Sequence, residues 1–124
     1  MIVAKRLEDV GPLQSLIDEL EFNSGVAAVL SYKEHGCPFL DDQFLRAIRE
    51  GAIATIRDDL KQSIMQAYYA IRRANQHIIA AAAQPPGPEP WAAATSRATE
   101  SIIASREPIR RAREELLKFL GTET

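Results

Sequence analysis

Apolar residues recur along this chain in steps of three and four, the spacing of one helix face, and the pattern is cleanest over residues 58–83. There Leu60, Ile64, Ala67, Ile71, Ala74, Ile78 and Ala81 alternate the two steps, which predicts a long helix with a continuous packing seam. Asp58 and Asp59 open it with negative charge, where the helix dipole favours it. Leu13, Leu16, Leu20, Asn23, Ala27 and Leu30 share a second stripe and predict a first helix over 11–32, with Pro12 in its first turn. Val3, Leu7 and Val10 mark a short lead-in helix broken at Gly11. Residues 33–38, with Gly36 and Pro38, read as a loop. A short helix then covers 43–50, capped by Asp41 or Asp42, with Phe44, Leu45 and Ile48 on its apolar side and Gly51 as its stop. Ile53 and Ile56 in the connector are expected to turn inward.

The stretch QPPGPEP at 84–90 places four prolines in seven residues. Prolines remove amide donors and force extended geometry, so this segment is a turn between antiparallel helices. The last segment begins near Trp91. Its stripe, Ala98, Ile102, Ser105, Ile109, Ala112, Leu116 and Phe119, runs straight through Pro108. That allows one kinked helix or two nearly collinear ones, with Ser105 capping the second, ending at Gly121. The expectation is an all-α antiparallel helical bundle of three long helices plus one or two short ones, forming a single domain over 1–124 without strands.

Composition changes little in this picture. Hydrophobic residues make up 46 % and charged residues 26 %, close to globular averages, so neither wholesale disorder nor a membrane bundle is indicated. No apolar run approaches the roughly 18–20 residues of a membrane span, and the N-terminus lacks the apolar core of a signal peptide. The lone Cys37 cannot form an intramolecular disulfide, which fits a reducing compartment; a cytoplasmic location is expected. Charge is uneven: residues 1–45 carry three bases against eight acids, and residues 46–83 six against three. No block is basic enough to imply nucleic-acid binding on charge.

Placed on a helical wheel, Asn75 falls inside the core arc of the long helix with Tyr68, and Asn23 falls on the first helix's apolar stripe. Buried amides need partners. The expectation is that Asn23 and Asn75 bond across the bundle, to helix backbone or to Tyr68, and fix its register. The opposite side of the long helix carries Met65, Tyr69, Arg72 and Gln76. Methionine and tyrosine on an outward face call for a cover, either the last helix or a second copy of the chain. The C-terminal bases Arg106, Arg110, Arg111, Arg113 and Lys118 alternate with Glu107, Glu114 and Glu115, the pattern of a self-paired solvated face.

Candidate chemistry is sparse. Glu34, His35 and Cys37, followed by Asp41 and Asp42, are the cluster with metal-ligand residue types. They lack CxxC or HxxxH spacing, so they read as a loop and a cap with no metal or cofactor. A small-ligand site in the bundle core has no convergent polar cluster beyond the asparagines and tyrosines. Arg72-x4-His77 resembles the Arg-x4–6-His motif of HEPN ribonucleases, all-helical domains that act as dimers. That resemblance implies metal-independent RNA cleavage, with Arg72 holding the scissile phosphate and His77 transferring protons. Arg73 stands where that family carries a polar residue, and in a straight helix Arg72 and His77 diverge by about 140°.

Residues 16–30, 44–56 and 60–78 together resemble a helical module of uncharacterised bacterial proteins: Glu-x3-Asn, then an aromatic-led short helix ending in Gly, then Ala-Tyr-x2-Ile-x3-Asn. The matching positions are Glu19, Asn23, Phe44, Gly51, Tyr68, Ile71 and Asn75. Such modules often follow an N-terminal transmembrane helix, which this sequence lacks. The resemblance implies a non-catalytic module and is compatible with a membrane-anchored parent or partner. The function expected from the sequence is therefore a structural or protein-interaction module that forms homodimers or larger assemblies through its helix faces. The alternative is the HEPN-like ribonuclease.

Overall fold

In the computed structural model, residues 7–28, 38–84 and 89–122 are described. They form four helices, α1 (Leu7–Ala27), α2 (Asp42–Arg49), α3 (Asp58–Ala83) and α4 (Glu89–Thr122), with no strand among the described residues. The expected all-α bundle of three long helices and one short one is what the chain builds.

Cross-contacts fix the relative directions. Ser63 bonds Glu115 at 2.9 Å and His77 bonds Ser101, so α3 and α4 run antiparallel. Glu21 faces Arg113 at 3.8 Å, and the Arg106 guanidinium donates to the Ala27 carbonyl at 2.5 Å, so α1 and α4 are also antiparallel. It follows that α1 and α3 point the same way. The core between α1, α3 and α4 is lined by Leu13, Leu16, Leu20, Leu60, Ile64, Ile71, Ile102, Ile109 and Leu116, all essentially inaccessible to water. Burying each such side chain stabilises the fold by roughly 1.5–3 kcal/mol before entropy is counted.

The long helix spans the predicted residues, and its seam from Leu60 to Ala81 is buried throughout. At its end Ala81 faces the core and Ala82 is exposed. The first helix departs from expectation at both ends. It starts at Leu7 and passes without a break through Gly11 and Pro12; Pro12 withdraws the amide that would bond the Glu8 carbonyl, and its ring-fixed φ is helical. It stops at Ala27, where Arg106 from α4 occupies a carbonyl left open at the helix end. Val3, Leu30 and residues 29–37 of the expected helix end and loop lie outside the described residues.

In α2, Phe44 and Ala47 face the core, whereas Leu45 and Ile48 stay half exposed, which corrects the expected apolar side. The reason is tertiary: the Phe44 ring stacks on Tyr68 of α3 at 4.2 Å between centroids, and this turns Leu45 and Ile48 outward. Gly51 ends the helix with φ +78°, the left-handed conformation that glycine adopts without steric cost. Ala52, Ile53 and Ile56 in the connector are buried as expected.

The last helix is one continuous element from Glu89 to Thr122 through Pro108, so Ser105 caps nothing. Its buried hydroxyl donates instead to the Ile102 carbonyl at 2.7 Å. The expected turn over 84–90 is therefore shorter by two residues, and its middle, 85–88, lies outside the described residues. On the solvent side, Arg110 bridges Glu107 and Glu114, and its hydrogen bond holds the Glu107 carboxyl below the usual carboxylate range.

Candidate functional site

Two groups of side chains stand out from the packing: a polar cluster inside the bundle, and a basic groove on its outside.

The inner cluster begins with Asn23 on α1, which has no solvent exposure. Its Nδ2 donates to the Leu40 carbonyl at 2.8 Å and its Oδ1 accepts the Leu40 amide at 2.9 Å. Asn75 on α3 treats the neighbouring residue the same way, donating to the Phe39 carbonyl at 3.0 Å and accepting its amide at 2.8 Å. A carboxamide carries one donor edge and one acceptor edge, the same complement a second peptide strand would offer. The two asparagines thus clamp consecutive residues of the extended segment that leads into α2. The expectation that they bond one another, a helix backbone or Tyr68 is corrected. α1 and α3 lie on either side of this segment, and the peptide groups reach each amide first.

Glu19, one turn before Asn23, completes the cluster. Its carboxylate is 5 % exposed and accepts the Gln43 amide at 2.8 Å, the Phe44 amide at 3.2 Å and the Tyr68 hydroxyl at 2.7 Å. These amides belong to the first turn of α2, so a side chain from another helix provides the cap. Neither Asp41 nor Asp42 makes a capping bond of its own. Asp41, at the cap position, pairs with Arg72 at 3.4 Å. Burial first, and the Glu19 carboxylate second, hold the Tyr68 phenol far above its ordinary pKa, so it remains a neutral donor. Every polar group in this cluster is satisfied by another part of the fold, which assigns Asn23, Tyr68 and Asn75 to architecture.

Outside, α4 packs along one flank of α3 and leaves the predicted outward face uncovered. Met65 is 46 % exposed and Tyr69 69 %, and Arg72 and Gln76 are exposed beside them. Arg72 leans toward α2, with its guanidinium 6.0 Å from the Phe44 ring centre, while His77 turns toward α4 and Ser101. Both still border a shallow hollow with Tyr69, Arg73 and Gln76.

A deeper groove of about 550 Å³ lies between α3 and α4. Tyr69, Arg73 and His77 line it from α3, and Arg97, Glu100 and Ser101 from α4. Arg73 and Arg97 form no ion pair among the described residues. In the sequence Arg73 and His77 are simply four positions apart on one helix. Arg97, Glu100 and Ser101 carried no signal, because nothing local states which turn of α4 lies against which turn of α3. A smaller hollow between α1 and α2 sets the half-exposed Phe22 and Leu40 beside Asp18 and Asp42.

Glu34, His35 and Cys37 lie outside the described residues. Among the described residues no three His, Cys, Asp or Glu side chains gather as a metal site would require. No described helix is long and apolar enough to cross a membrane. No known protein family, characterised protein or solved structure matches the chain.

Proposed function

We propose that the protein is a non-catalytic helical interaction module that self-associates through the outer face of α3. The observation that carries this reading is the exposure of Met65 and Tyr69 at the middle of a helix whose other flanks are packed. An apolar surface of this kind, bordered by Arg72 and Gln76, gains free energy when a second surface covers it. The hollow between α1 and α2 offers a complement on the same chain, with Phe22 and Leu40 for the apolar groups and Asp18 and Asp42 for the arginine. A cytoplasmic module working beside a membrane-anchored parent or partner is consistent with this reading and with the bacterial arrangement that the chain resembles.

Sedimentation velocity over a micromolar concentration series tests it. The native chain is expected to shift from monomer to a larger species as concentration rises, and Met65→Glu combined with Tyr69→Glu is expected to keep it monomeric with unchanged helicity. A native chain that stays monomeric throughout the series removes the reading.

One observation favours a second reading, a HEPN-like ribonuclease: Arg72 and His77 border the same hollow. In that case two chains would bring the arginine and histidine to one phosphodiester. Metal-independent RNA cleavage that disappears in His77→Ala would replace the first reading with this one.

A further inference from the structure

We propose that the groove between α3 and α4 is a binding site for a phosphate monoester carrying a planar organic body, of the size of a nucleoside monophosphate. The site shares Tyr69 with the face proposed for self-association but takes its anion-binding groups from outside that face, and its ligand chemistry follows from the groups that line it.

Two guanidiniums, Arg73 and Arg97, enter the groove from opposite helices without a carboxylate partner among the described residues. Guanidinium groups present planar forks of donors that match phosphate oxygens, and a charged hydrogen bond is roughly twice as strong as a neutral one. Between them, His77 Nδ1 bonds the hydroxyl of Ser101, a side chain only 8 % exposed. If the hydroxyl donates to Nδ1, the imidazole keeps an Nε2–H donor. If Nδ1–H donates instead, the hydroxyl proton is released. Either tautomer leaves the pair one further donor for a ligand. The phenol of Tyr69 stands at the rim.

Such an excess of donors suits three terminal phosphoryl oxygens better than the two oxygens of a carboxylate. The volume, about 550 Å³, exceeds that of a bare ion and falls in the range of small-molecule sites. Ala70 and Ala104 form apolar walls, and the largely exposed Tyr69 ring offers a face on which a planar group can stack. Glu100 opposes the ligand with a like charge, which marks the binding as moderate and supplies a control of opposite sign.

Isothermal titration of the full chain with AMP, adenosine and inorganic phosphate tests the site. AMP is expected to bind saturably in the millimolar range or tighter, ahead of both adenosine and inorganic phosphate. Arg73→Gln and Arg97→Gln should each weaken AMP binding at least about tenfold. Glu100→Gln should strengthen it. Met65→Glu, which lies outside the groove, should not weaken it, so a failure of self-association and a failure of this site give different results. Both arginines are exposed, and unchanged circular dichroism in the variants confirms that the fold is intact. Absence of saturable AMP binding, equal affinity for adenosine, affinity unaltered in the arginine variants, or binding of polymeric RNA without binding of AMP would each overturn the proposal.

Discussion

Glu19→Ala is expected to lower the stability of the domain by about 3–5 kcal/mol, the largest effect of any single substitution outside the apolar core. The carboxylate accepts three hydrogen bonds, two from the first turn of α2 and one from the Tyr68 hydroxyl. Truncation strands all three donors in a site that water scarcely reaches. Because domains of this size are stable by only about 5–15 kcal/mol, such a loss is a large share of the total. Urea unfolding followed by circular dichroism reads it as a fall in midpoint at an unchanged slope. Tyr68→Phe provides the internal comparison. It removes one of the three bonds and keeps the ring stacked on Phe44, so it should cost only about 1–2 kcal/mol. Glu19→Gln should fall between them, since its amide nitrogen turns a donor toward one of the α2 amides. A loss below about 1 kcal/mol in Glu19→Ala would mean that water or a rearranged α2 replaces the cap.

Asn75→Leu and Asn23→Leu are each expected to cost about 1–3 kcal/mol, because each leaves a part-buried peptide group without its donor and acceptor. The two sites hold adjacent residues of one segment, so their effects should not add. Once either amide is lost the segment loosens, and the second substitution then removes less than it does alone. Hydrogen exchange locates the change, since the Phe39 and Leu40 amides bond these side chains directly and should exchange faster while the α3 and α4 amides remain protected. An Asn75→Leu protein as stable as the native chain, with Phe39 still protected, would show that the clamp contributes nothing.

The second prediction concerns residues that the sequence marked out but whose partners it misidentified; Glu19 was marked only as a position of the resemblance, with no partner assigned. The wheel placed Asn23, Tyr68 and Asn75 inward, and all three are turned toward the interior. Helical periodicity fixes direction because successive side chains turn by a constant 100°. Direction does not name a partner. The asparagines reach a loop segment and not each other, because the separation of α1 and α3 and the path between them depend on the whole assembly. The same limit explains α2. Local propensity pointed to Asp41 or Asp42 as the cap, but Glu19, more than twenty positions earlier, takes that role, and Asp41 is left to pair with Arg72. Pro108 shows the converse, a strong local signal overridden by packing. The buried stripe from Ala94 to Phe119 crosses it unbroken, so one missing amide bond does not end the helix.

On the outer surface, Met65, Tyr69, Arg72 and Gln76 were legible as an outward face, and the structure leaves Met65, Tyr69 and Gln76 uncovered while Arg72 pairs with Asp41. The α3/α4 groove was not legible, because Arg73 and Arg97 line one groove only through the register of two helices joined by a proline-rich turn.

By itself the sequence determined the helical class, the extent of α3, the buried seams and the inward asparagines, all of which follow from the fixed geometry of one helix. Tertiary structure decided what caps α2, what the asparagines hold, and which charged groups meet across α3 and α4. Those outcomes depend on distances between elements far apart in the chain, and no local periodicity encodes them.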